Sequence, residues 1–161
     1  NVTFGNGSSA AGGVVLSTAS GFDNPNTFND PTNANADDFT IQNDGNVDVN
    51  LTINGSKAAD FITTGTTPLY NWSGTNFSNG VDHGCLNATG GTLGSNGSGG
   101  YNFSQVAFGV GPSTVSICQN FTFRDANDTL NVTIRLFLPG DVAPGNYTDT
   151  GVVFTATRYI G

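Results

Sequence analysis

Asp38-Phe39-Thr40-Ile41-Gln42-Asn43, then Asp44-Gly45-Asn46, then Val47-Asp48-Val49-Asn50-Leu51-Thr52-Ile53-Asn54: apolar and polar residues alternate, turn formers intervene, and the alternation resumes. On an extended chain successive side chains point to opposite faces, so each run has one apolar side and one polar side. The pattern predicts two strands joined as a β-hairpin.

Working outward, similar runs predict strands at about 68–73, 104–110, 114–124 and 129–138, and a last one at about 147–160 after Pro139-Gly140 and Pro144-Gly145. No stretch repeats apolar residues at helical spacing over three turns. Eight or so short strands separated by turn residues imply an all-β domain, a β-sandwich or jelly roll, and 161 residues suffice for one such domain. Gly21 to Asp37 and Asn87 to Gly100 lack strand character and are expected to be exposed loops.

Charge is scarce. One residue in ten is ionic, all twelve acids are aspartate, and the cations are Lys57, Arg124, Arg135 and Arg158. A net charge of −8 leaves no basic patch for phosphates, so no nucleic acid partner is expected. No run approaches the roughly 18 apolar residues of a spanning helix, so no membrane insertion is expected either. The chain opens at Asn1 without methionine, which reads as a mature extracellular form with its signal peptide removed. In that setting two cysteines, Cys85 and Cys118, favour a disulfide over a metal site, two free buried thiols being the alternative. The bridge would close a loop of 34 residues.

Thirteen Asn-X-Ser/Thr sequons begin at Asn1, Asn6, Asn50, Asn54, Asn71, Asn76, Asn87, Asn96, Asn102, Asn120, Asn127, Asn131 and Asn146. Twenty-one asparagines and 33 serines or threonines in 161 residues would place about four by chance (21 × 33/161). A composition rich in Asn and Thr could produce the excess without any modification, but placement argues otherwise. On a strand the Asn and the hydroxyl share one face, and the middle residue, such as Leu51, Trp72, Phe121 or Val132, takes the other. Asn50, Asn102, Asn120 and Asn131 are therefore expected to face water, and N-linked glycans would supply the solubility that charge does not. All the sequons from Asn50 onward are candidate glycosylation sites; those at Asn1 and Asn6 are expected to be outward-facing or unoccupied.

Catalytic and metal readings find little support. His83 is the only histidine and has no partner placed by sequence to orient it, and two Cys plus one His fit no zinc pattern. Asp37, Asp38, Asp44, Asp48, Asp125 and Asp128 could offer oxygens to calcium, but none stands in a calcium-loop spacing and turn chemistry explains them equally. The expectation is a non-enzymatic protein with no cofactor beyond covalent glycans.

Three segments, Phe39-Thr40-Ile41-Gln42-Asn43-Asp44-Gly45-Asn46, Leu69-Tyr70-Asn71-Trp72 and Gly151-Val152-Val153-Phe154-Thr155-Ala156-Thr157-Arg158, resemble the TasA/camelysin family of biofilm fibre proteins and the related archaeal bundling pilins and thread filaments. The bacterial members are rich in Lys, Asp and Glu, so this charge-poor, sequon-rich chain is more similar to the glycosylated archaeal branch. The resemblance implies a jelly-roll or Ig-like sandwich lacking one strand and completed by a neighbouring subunit, in a head-to-tail polymer that serves adhesion or biofilm formation.

On that implication residues 1–13 form a donor-strand arm and tether ahead of a sandwich at 14–161. Val2 and Phe4 share one face of an extended segment and would fill pockets of the next copy, and the small residues Gly5 to Gly13 would tether them. An ordinary first strand paired within its own domain is the alternative. An S-layer or adhesin-type binding module is the competing function, with a hydrolase a further one.

Overall fold

The computed structural model describes residues 4, 6–9, 11–18, 28–29, 39–76, 85–87, 106–107, 115–124, 128–149 and 151–161. Two antiparallel sheets carry the fold, with one helical turn beside them. The first sheet contains β2 (Val14–Ser17), β4 (Phe39–Gln42), β6 (Leu69–Asn76), β8 (Val106–Ala107) and β10 (Thr129–Leu138). The second runs in the order β11 (Val153–Arg158), β5 (Val49–Asn54), β9 (Val115–Phe121), β7 (Cys85–Asn87). A small two-stranded ladder joins β1 (Asn6–Gly7) to β3 (Phe28–Asn29).

β10 organises the first sheet. Its sequence, Thr-Leu-Asn-Val-Thr-Ile-Arg-Leu-Phe-Leu, is rich in branched and aromatic residues that suit a pleated surface. One side pairs with β6 from Leu130↔Asn76 to Phe137↔Leu69; the other pairs with β4 and then β2. Between those two short strands the Thr18 side chain accepts the Ile134 N–H (2.8 Å), and the Thr18 N–H bonds to the Ile134 carbonyl (3.0 Å). No backbone group of Ile134 is left unpaired across the gap, which matters for a fully buried residue.

Leu130, Val132, Ile134, Leu136 and Leu138 meet Trp72, Tyr70, Leu16, Leu51, Ile53, Ile117 and Phe121 in one buried cluster to which both sheets contribute. Trp72 sits opposite Ile134 in register and is 1 % exposed. Burying each large side chain of this kind stabilises the fold by about 1.5–3 kcal/mol. At one margin Phe39 of the first sheet meets Phe154 of the second, with ring centroids 5.4 Å apart.

The expected hairpin does not form. β4 and β5 exist close to the predicted bounds, but β4 pairs with β10 and β5 pairs with β9 and β11. Residues 43–48 turn a corner from one sheet to the other. Asn43 holds it: its Nδ2 donates to the carbonyls of Val47 (3.1 Å) and Phe121 (3.0 Å), and its Oδ1 accepts the Gly45 N–H (3.2 Å). The Asn43 N–H reaches the Asp128 carbonyl (2.9 Å), tying the corner to both sheets.

A second corner links β10 to β11. The Tyr147 hydroxyl donates to the Ala143 carbonyl four residues earlier and lies 3.2 Å from Thr64 Oγ1, which accepts the Ala143 N–H. Asp141 accepts both the N–H and the hydroxyl of Thr66 (2.8 and 2.6 Å), bonds that hold its carboxyl below the usual carboxylate value. Gly65 has φ of +90°, and a Cβ there would lie 2.9 Å from Pro139, so the two loops close directly on a glycine. The helical turn α1 (Ala58–Phe61) is too short to have shown a periodic signal; Asp60 accepts the Lys57 N–H at its start, and Ile62 anchors its end in the core.

Candidate functional site: an open edge and two outer faces

The cysteines lie where a bridge requires. Cys85 on β7 and Cys118 on β9 form a disulfide with Cα atoms 5.6 Å apart, both buried. The bridge ties an edge strand into the second sheet.

β11 forms the opposite edge of that sheet. Among the described residues it pairs on one side only, with β5 from Val153↔Asn54 to Arg158↔Val49. Its other side presents the backbone donors and acceptors of every second residue of the strand. Val153 is 52 % exposed, Thr155, Ala156, Thr157 and Arg158 are also exposed, and Arg158 is the one ionic side chain. Natural sheet edges of this length are usually guarded by charges, prolines or bulges.

The N-terminal segment is packed onto its own chain. Phe4 is half-buried against the core, and Asn6–Gly7 pairs with Phe28–Asn29. Phe4, Asn6 and Gly7 thus meet their own chain, and Val2 lies outside the described residues.

The sequon asparagines occupy different environments. Asn50 and Asn54 lie on the outer face of the second sheet, with Leu51 and Ile53 buried on the other face as alternation requires. Asn146 is exposed in the second corner, and Asn120 and Asn71 are half-buried. Asn131 departs from expectation. Its register puts it opposite the core, between Thr40 and Thr75, yet it is 6 % exposed and its sequon partner Thr133 is fully buried. Both polar residues of this sequon are thus enclosed on the folded chain, and Asn131 does not face water. Asn96, Asn102 and Asn127, and the side chains of Asn76 and Asn87, lie outside the described residues, as do His83, Asp37, Asp38 and Asp125.

One polar cluster escaped the sequence reading. Asp149 Oδ1 accepts the Ser56 hydroxyl (2.7 Å) and the Gly151 N–H (2.8 Å), fastening the segment after β5 to the approach to β11. The Tyr70 hydroxyl faces the same carboxylate. Burial first, then the negative charge of Asp149 and a hydrogen bond to it, push the Tyr70 hydroxyl well above the usual tyrosine range. No local spacing connects residues 56, 70 and 149, so only the folded register brings them together. Among the described residues no three His, Cys, Asp or Glu side chains group to hold a metal ion, and no helix is long and apolar enough to cross a membrane.

No known protein family, characterised protein or solved structure matches this chain.

Proposed function

We propose that the chain is a structural subunit of an extracellular, N-glycosylated filament, in which copies join head to tail by strand exchange and serve surface adhesion or biofilm cohesion. The β11 edge carries this reading, because among the described residues its outer side has no strand partner, and backbone groups without partners on a charge-poor strand favour capture of an extended segment from another copy. The segment around Val2 and Phe4 is the proposed donor. Phe4 packs against the core of its own domain in a single chain, so on this reading the segment exchanges that contact for pairing with the β11 edge of a neighbour. A buried disulfide and many sequons are compatible with life outside the cell.

The test is electron microscopy of the purified native glycoprotein, of a variant lacking residues 1–10 and of Ala156→Lys. Ala156 is exposed on the edge strand, so a lysine there should leave folding intact while blocking strand addition. Filaments from the native chain and none from either variant are expected. A native chain that stays monomeric at high concentration points instead to an S-layer or adhesin module, and filaments from both variants overturn strand exchange.

A further inference from the structure

The outer face of the first sheet carries an apolar row that a solvated face does not need. Phe137 on β10 pairs in register with Val15 on β2 and with Leu69 on β6, so three apolar side chains stand side by side across three strands. Leu69 is 49 % exposed. One step along the same face, Arg135 pairs with Asn71. Val15, Leu69, Asn71, Arg135 and Phe137 together line a depression of about 200 Å³.

We infer that this depression seats the first sugar of a glycan attached to Asn71. The inference rests on the reading of the chain as an N-glycosylated protein and adds to it a specific protein–sugar contact. Asn71 heads a sequon and forms part of the wall, and its Oδ1 is enclosed without a partner whereas Nδ2 is not. A sugar joined at Nδ2 therefore emerges beside the apolar row. A pyranose offers a C–H face to Phe137, Leu69 and Val15 and a hydroxyl rim to the guanidinium of Arg135, whose N–H groups are donors only. The Phe137 ring is held for this contact, because it lies over Gly13, where a Cβ would come within 2.6 Å of the ring.

A second copy of the chain is the other conceivable occupant. The covalent sugar is favoured because tethering beside the site gives it a high effective concentration, and because its presence would bar a protein from the same space. The sequons at Asn50 and Asn54 lack such a row: their face carries Thr52, Thr155 and Thr157, with Val153 opposite Asn54 as a single apolar neighbour.

Glycopeptide mapping of the native protein, combined with thermal unfolding of Asn71→Gln, Ser73→Ala, Leu69→Thr and the Asn71→Gln/Leu69→Thr pair, tests the inference. Asn71 should be occupied, and each single substitution should lower Tm by about 2–4 °C. The double variant should fall no further than Asn71→Gln alone, since both remove one contact. Ser73→Ala deletes the sugar while keeping Asn71, so its agreement with Asn71→Gln assigns the effect to the glycan. Sugars at other sequons with none at Asn71 overturn this inference and leave the glycoprotein reading standing; no sugar at any sequon overturns both. Occupied Asn71 with fully additive effects, or loss of filaments rather than of Tm on Leu69→Thr, gives the depression to something other than the sugar.

Discussion

Replacing Asn43 by alanine tests whether one side chain holds the corner between the sheets. The substitution strips the Val47 and Phe121 carbonyls of their donor and the Gly45 N–H of its acceptor. Gly45 is exposed and Val47 is 36 % exposed, so water can replace those bonds at little cost. Phe121 is 1 % exposed, and its carbonyl would be left enclosed and unpaired. A buried group orphaned in this way costs about 1–3 kcal/mol, and this carbonyl accounts for nearly all of the loss. For a chain of this size that lowers Tm by roughly 5 °C, measurable by circular dichroism. Asn43→Asp sharpens the test, since at neutral pH it sets a carboxylate oxygen against the Phe121 carbonyl and should cost more than alanine. Its carboxyl would hold a proton more tightly folded than unfolded, because only the protonated acid can donate. Its destabilisation should therefore ease as pH falls below about 4 and grow as pH rises through the folded value. A loss below about 0.5 kcal/mol for Asn43→Ala, or wild-type stability for Asn43→Asp at pH 7, would refute the assignment.

Three further outcomes follow from the geometry. Reducing the Cys85–Cys118 bridge opens a loop with a sequence separation of 33, and chain entropy puts the loss at roughly 3–4 kcal/mol, read as a fall in Tm on adding reductant. Tyr147→Phe removes the hydroxyl that ties the second corner to Ala143 and Thr64, at a cost of about 1 kcal/mol by denaturant titration. Tyr70 ionises near pH 10 when unfolded and higher when folded, so its contribution is complete below pH 10 and is lost as pH climbs through the folded value. Stability should fall by about 1.4 kcal/mol per pH unit in that window, and Tyr70→Phe should flatten the decline.

Strand positions were legible in the sequence because alternation is a local property. β10 occupies the predicted range, and β5 displays Leu51 and Ile53 inward with Asn50 and Thr52 outward, as the period of two demands. Pairing was not legible for the same reason. Asp44-Gly45-Asn46 marks a reversal, yet whether the chain reverses into its own sheet or into the opposite one depends on Asn43 reaching Phe121, a residue 78 positions away. Asn131 shows a second limit: alternation tells which face a side chain takes, not whether that face is open to water at that point. The cysteine pairing was accessible because two cysteines allow only one bridge. The Tyr70, Ser56 and Asp149 cluster left no sequence signal at all.

The weak charge of the chain and the two outer surfaces of the fold bear on each other. An all-β domain must manage both sheet edges and outward faces, and charged side chains commonly serve both purposes. Here β11 carries one ionic residue, and the outer face of the first sheet carries Val15, Leu69 and Phe137 beside a single Arg135. On the proposed reading the two exposures have different remedies: the edge is satisfied by a strand from another copy, and the face is covered by a sugar fixed at Asn71. The remedies are separable in experiment. Ala156→Lys should abolish filaments and leave the Tm contribution of the Asn71 glycan intact, whereas Ser73→Ala should lower Tm and leave filaments visible. If either variant produces both effects, edge and face belong to one interface between subunits, and the division of labour argued for them fails.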